Sequence, residues 1–194
     1  APPTAPIASA KDMLTNGDFS RSLLGWASFN DQGADGPSID GSVSLVTDGD
    51  SRAVRLLRMG SNGNHCQTIL QQDINKPLPD PVSSLLVRAN VKVSYQSLPG
   101  GGSLATEFPL MILLRYRDEY GNDNQWVQGF YYGDPQGNPT ANGEQVPQNN
   151  WYLFESGNLL EELNPKPARI LGIKVYASGW DYDSMVRSIT LEVQ

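Results

Sequence analysis

Residues 85–95 alternate without a break. Val87, Ala89, Val91, Val93 and Tyr95 fall on one side of an extended chain, and Arg88, Asn90, Lys92 and Ser94 on the other. A period of two is the signature of a β-strand with one face buried and one face wet. A helix would scatter those apolar side chains around its axis. The pattern recurs in shorter runs from Val43 onward. Residues 42–46 alternate and stop at the turn Asp48-Gly49-Asp50. Residues 53–57 form another run, and residues 65–74 a further one, ended by Lys76-Pro77-Leu78-Pro79-Asp80-Pro81. Residues 110–117 begin apolar on both faces, as in a central strand covered on both sides. Asp118-Glu119-Tyr120-Gly121-Asn122 then turns the chain into residues 125–132, and residues 151–155, 170–176 and 185–193 complete the series. Residues 133–149 read as a long loop rich in Gly, Pro and Asn, and Pro99-Gly100-Gly101-Gly102 as a shorter one. Only residues 159–163 offer a helical turn, and it is cut off before Pro165. Roughly nine or ten short strands with turns about every ten residues predict an all-β fold, an antiparallel two-sheet β-sandwich. No repeat with a period of roughly 20–50 residues points to a propeller or solenoid.

The 194 residues suffice for one domain, expected over 12–194 as a monomeric unit. A chain of this size buries about 70% of its extended surface, so its core needs neither disulfide nor metal. Residues 1–11, rich in Pro and Ala, read as a flexible linker or arm, without the charged start and apolar middle of a signal peptide. A net charge of −7 and the absence of a basic stripe exclude electrostatic binding of nucleic acid or anionic lipid. The longest apolar run, residues 108–114, is far short of a membrane-inserted helix. The lone cysteine, Cys66, allows no intrachain disulfide and no cysteine-based metal site.

Catalytic groups are sparse. His65 is the only histidine, and its neighbour Cys66 projects to the opposite side of a strand, so the two cannot pair. Asp118-Glu119 belongs to a turn. Asp181 and Asp183, flanked by Trp180 and Tyr182, are more interesting, because a carboxylate beside an aromatic ring suits sugar binding as well as hydrolysis; Glu155 is a third carboxylate for a hydrolase. Sugars are bound by stacking of their C–H faces on aromatic rings while polar side chains take the hydroxyls. Within residues 126–132, Trp126, Gln128, Phe130 and Tyr132 share one side and Tyr131 takes the other. Arg115 and Arg117 share a face, as do Arg88, Asn90 and Lys92. The expected ligand site therefore comprises Arg88, Asn90, Arg115, Trp126, Gln128, Tyr131, Tyr132, Asp181 and Tyr182, on a concave sheet face or at the loops of one end. Trp26 and Trp151 are assigned to structure.

The two ends of the chain carry the most specific signal. Leu14-Thr15-Asn16-Gly17-Asp18-Phe19-Ser20, followed by Leu24-Gly25-Trp26, resembles the opening of galactose-binding-like jelly-roll carbohydrate-binding modules. Residues 173–184 and then Ile189-Thr190-Leu191 are similar to the final two strands of that group, and residues 109–132 resemble uncharacterised bacterial extracellular domains. The resemblance implies a jelly roll whose first and last strands lie side by side, with Phe19 and Trp26 packed against Val175 and Leu191. It implies non-catalytic binding of a polysaccharide or glycan by a module appended to a larger exported or cell-surface protein. No cofactor is required for that; a structural calcium near the junction is the one ion the resemblance allows, with Asp18 as an oxygen ligand. The acidic pair common before the last apolar residues reads Arg187-Ser188 here, a departure. A structural or protein-interaction domain of a surface or signalling protein, without a sugar site, is the alternative.

Overall fold

The computed structural model describes residues 10–194. Its strands in chain order begin with β1 (Lys11–Asp12), β2 (Ala27–Asp31), β3 (Ser42–Asp48), β4 (Ser51–Arg58), β5 (Cys66–Pro77) and β6 (Leu85–Gln96). Then come β7 (Leu110–Asp118), β8 (Asp123–Tyr131), β9 (Gly143–Gln145), β10 (Tyr152–Glu155), β11 (Pro167–Gly179) and β12 (Tyr182–Val193). A single helical turn, α1 (Leu159–Glu162), is capped by the Asn158 side chain accepting from the Leu160 amide.

The strands form two sheets, the first in the order β10-β6-β12-β4-β3 with β1 paired to β12, the second in the order β2-β5-β11-β7-β8-β9. Every pairing is antiparallel except β8 with β9. The expected β-sandwich is present. Its core lies between the sheets, where Val87, Val91, Ile189 and Leu191 of the first share one buried cluster with Ile112, Leu114, Ile173 and Val175 of the second. Aliphatic side chains repeat at every second residue of each long strand, and burying them is the main force holding the sheets together.

The chain closes where its beginning meets its end. The Met13 amide donates to the Leu191 carbonyl at 2.8 Å, and the Ile189 amide donates to the Gly17 carbonyl at 2.9 Å. A Cβ at residue 17 would lie 2.0 Å from the Ile189 carbonyl oxygen, so only glycine permits this approach. Asn16 ties the loop that follows: its Nδ2 donates to the Ser22 and Leu24 carbonyls, and its Oδ1 accepts from the Arg21 amide. The Trp26 indole donates to the Asn16 carbonyl, and its ring centroid stands 5.7 Å from that of Phe19. The Asn-Gly-x-Phe…Gly-Trp motif is thus a device for closing the sandwich.

Two strands depart from expectation. β2 is exposed along nearly its whole length and so carries no alternation to read, and β9 forms inside the stretch expected to be loop. Lys11 pairs with Val193 in β1, while residues 1–9 of the expected arm lie outside the described residues.

Candidate functional site

The sandwich has two outer faces, and they differ in how their polar groups are spent. On the first sheet, each outward cation of β4, β6 and β12 has a partner. Arg55 forms a two-point pair with Asp183 at 2.8 and 2.6 Å. Arg88 is held between Glu155 and Glu192. Lys92 donates to Asp48 at 2.9 Å, and this bond, with one from the Trp151 indole, holds the Asp48 carboxyl below its usual range. Arg187 donates to the Ser51 hydroxyl at 3.2 Å, faces the Asn90 side-chain amide, whose oxygen accepts from Nε and Nη2 at 2.8 Å once the amide is turned toward it, and stands 4.7 Å from the centre of the Trp151 ring. Each of these cations is held by a group of the protein itself.

The outer face of the second sheet is built differently, and register defines it. Leu70, Val175 and Ile112 are paired in register across β5, β11 and β7, and all three point into the core. The residues between them therefore project outward in rows that cross the strands. One row runs Phe29, Ile69, Tyr176, Met111 and Gly129, from β2 to β8. The next runs Ala27, Gln71, Lys174, Leu113 and Val127, and the one after it Asp73, Gly172, Arg115 and Gln125.

The first of these rows is roofed. Phe108 lies over it, fully buried in a small second cluster with Ile69, Met111 and Tyr176. The roof depends on bare backbone beneath it, since a Cβ at Gly129 or Gly143 would strike the Phe108 ring at 2.3 and 2.5 Å. Residues 101–107 continue the cover. The Thr106 and Glu107 amides both donate to the Gly101 carbonyl, and Glu107 Oε1 lies 2.8 Å from His65 Nδ1. Burial alone pushes the Tyr176 phenol up to about 12.

Beyond the roof the face is open. Leu113 and Val127 are half-buried against the second cluster and form an apolar floor next to polar groups, while Tyr131, also half-buried, lies on the other side of the roofed row with its ring 5.9 Å from that of Phe108. The Arg115 guanidinium reaches over β11 to Asp73 on β5 at 2.6 Å; a Cβ at Gly172 would meet it at 2.8 Å. Gln71 donates to the same Asp73 oxygen at 2.9 Å. Lys174, Gln125 and the Tyr131 and Tyr176 hydroxyls have no hydrogen-bond or ion-pair partner among the described residues. At the far edge a depression of about 420 Å³ is lined by Arg115, Asp123, Asn124, Gln125 and Leu171.

The predicted site residues divide. Arg115 and Tyr131 lie on this face, as expected of a sheet site. Arg88 and Asn90 do not join them, which corrects the expected assembly: β6 and β7 follow one another in sequence but belong to different sheets, so their outward residues point to opposite sides of the molecule. Trp126 and Gln128 are a second correction. They pair with Leu114 and Ile112 and so take the inward side of β8, where Trp126 stacks with Phe154 at 6.4 Å. Tyr132 packs against the main core at one end, beside a depression of about 280 Å³. Tyr182 belongs to the core, not to a ligand surface. Its hydroxyl shares a 2.6 Å hydrogen bond with Thr68, and burial raises the phenol pKa far above its ordinary value. Asp181 accepts from the Ser61 amide and so braces two loops. The three carboxylates considered for hydrolysis are thus occupied separately: Asp181 by Ser61, Asp183 by Arg55 and Glu155 by Arg88.

Asp18 accepts from the amide and hydroxyl of Ser20, and the amide bond lowers its pKa. It shares a depression of about 540 Å³ with Arg52 and Arg187, and Arg52 donates to the Ser20 carbonyl at 3.1 Å. Among the described residues no three His, Cys, Asp or Glu side chains gather as a metal set. The residues missed by sequence reasoning are Gln71, Leu113, Val127, Lys174 and Tyr176. One signal was present, because Lys174 is the single charge inside the apolar run 173–177.

No family model and no curated protein matches the sequence. Solved structures do match its fold. The family 11 carbohydrate-binding module from Clostridium thermocellum, in complex with a β-1,3-1,4-mixed-linked tetrasaccharide, aligns at a TM-score of 0.56 and 14% identity, over 95% of this chain and 96% of that one. The chain has the jelly-roll sandwich of such modules. The family 11 module of the cellulosomal cellulase Lic26A-Cel5E of the same organism gives 0.54 at 14% identity, over 95% of both chains. The enzymatically active domain of tailspike protein 4 of bacteriophage CBA120 gives 0.51 at 13% identity, over 93% of this chain. The chain spans 21% of that tailspike chain's length.

Proposed function

We propose that this jelly roll is a non-catalytic carbohydrate-binding module, and that it holds a glycan on the open part of the second sheet's outer face. One observation carries the reading. That face sets an aliphatic floor (Leu113, Val127), with the Tyr131 ring across the Phe108 roof, beside polar groups that have no partner among the described residues, whereas the opposite face has spent its cations on internal contacts. Such a floor stacks on the C–H face of a sugar ring, and the free donors take its hydroxyls. The family 11 module of the same fold carries a bound tetrasaccharide, which supports the reading at the level of architecture. The separate engagement of Asp181, Asp183 and Glu155 supports binding without bond cleavage. A module of this kind fits an exported or cell-surface protein that is brought to a polysaccharide.

Affinity electrophoresis through gels containing soluble polysaccharides tests this. At least one polysaccharide retards the protein, and Tyr131→Ala weakens that retardation by about three- to tenfold, the usual worth of one ring contact. Absence of retardation by every polysaccharide in a broad panel overturns the proposal in favour of a structural or protein-interaction domain.

A further inference from the structure

Lys174 stands at the centre of this face. It lies in β11, the third of the second sheet's six strands, between Gln71 of β5 and Leu113 of β7. Two residues along the same strand, at Gly172, the guanidinium of Arg115 crosses over the backbone. Two cationic groups, one from β11 and one reaching over it from β7, are therefore neighbours, with Asp73 bound to Arg115 and the nearby Asp123 bound to Arg117. Asp73 is committed to Arg115 and Gln71, and is itself exposed. Lys174 has no hydrogen-bond or ion-pair partner among the described residues. It is also half-buried, unlike Lys11, Arg21, Lys76 and Lys166, the other cations whose side chains lack one among the described residues, all of which are exposed.

A half-buried ammonium without a counter-ion is a poor use of a central sheet position. Partial burial removes part of its hydration shell, and no group among the described residues replaces it. On a chain with a net charge of −7, the arrangement leaves a local positive centre beside an apolar floor. A neutral sugar would use Lys174 as a hydroxyl donor, which an asparagine or glutamine does without the desolvation cost. A sugar acid uses its charge.

We infer that the glycan held on this face is a polyuronate, with a sugar carboxylate seated on Lys174 beside Arg115 and the ring over Leu113 and Val127. The inference rests on the carbohydrate reading above and narrows it to acidic chains. Charge-assisted pairing of this kind is directional and sensitive to salt at a half-open site.

The test uses the whole chain in affinity gels containing polygalacturonate, alginate, fully methyl-esterified polygalacturonate, dextran sulfate or a neutral β-1,3-1,4-glucan. The expected result is retardation by one of the two polyuronates at least about tenfold stronger than by the esterified or neutral polymer. Raising the salt from about 0.05 to 0.5 M removes most of that preference. Lys174→Met abolishes the preference while keeping the thermal unfolding midpoint, and Lys174→Arg keeps the preference. Equal binding of acid and ester, or a preference for the neutral glucan, overturns the acidic assignment and leaves the carbohydrate reading standing. Stronger binding of dextran sulfate than of either polyuronate overturns the carboxylate and leaves a sulfated glycan. Failure of every polymer overturns both readings.

Discussion

The two outer faces of this sandwich come from strands of similar length and alternation, yet one is finished and the other is not. On the first sheet, Arg55, Arg88, Lys92 and Arg187 meet Asp183, Glu155, Glu192, Asp48 and Asn90, and the Trp151 ring is covered by two of those cations. On the second, aromatic and aliphatic side chains occupy positions that an outward strand face normally gives to polar residues, and a loop carrying Phe108 covers only part of them. The contrast shows what separates a solvated surface from a binding surface. A solvated face satisfies its own charges; a binding face leaves apolar area and donors for something else.

The largest effect should come from removing the roof. Phe108 is fully buried, yet it lies outside the space between the sheets, so Phe108→Ala asks whether the outer face has a core of its own. A cavity of that size should cost about 3–5 kcal/mol in urea unfolding, as in a main core. A loss under about 1 kcal/mol would mean that the roof closes over nothing and that the two faces are equally wet.

Alkaline titration sharpens the same point. Burial on the second sheet's outer face raises the Tyr176 phenol from its ordinary 10.0 to about 12, so the folded state favours the protonated form. Stability from this group is therefore complete below about pH 10 and is lost as pH rises from there toward 12. Two units correspond to about 2–3 kcal/mol. Tyr176→Phe should remove that share of the alkaline loss, read as a smaller difference in unfolding free energy between about pH 9 and pH 12. An unchanged pH profile would place the phenol in water and undo the idea of a partly dry face.

How much of this was legible in the residues follows from what alternation can and cannot say. The run at residues 85–95 marked β6, and the Asn16-Gly17 and Gly25-Trp26 motifs marked the closure, because both are local chemistry. The membership of each strand in a sheet is not local. Between β6 and β7 the chain crosses from one sheet to the other, and nothing in residues 97–109 announces that passage; Arg88 and Arg115 therefore looked like neighbours. In β8 both sides carry aromatic rings, so the inward side was settled by pairing of Trp126 with Leu114 and Gln128 with Ile112 rather than by hydrophobicity. Lys174 was visible as a charge among apolar residues, but its isolation from any counter-ion exists only once β5 and β7 are laid on either side of it.

The smallest expected effect is the strictest control on the comparison. Arg88 was drawn into the expected site by its place in the clearest strand, and the structure gives it two carboxylates, Glu155 and Glu192. Its side chain is 40% exposed, so screening by water limits what these pairs contribute. Arg88→Ala should cost at most about 1 kcal/mol in urea unfolding, less still in about 1 M salt. Polysaccharide retardation should not change, since Arg88 and Lys174 project from opposite sides of the molecule. If Arg88→Ala removed retardation while Tyr131→Ala spared it, the ion pairs of the first sheet would have to open to receive the ligand. The face that looks complete would then be the one that binds.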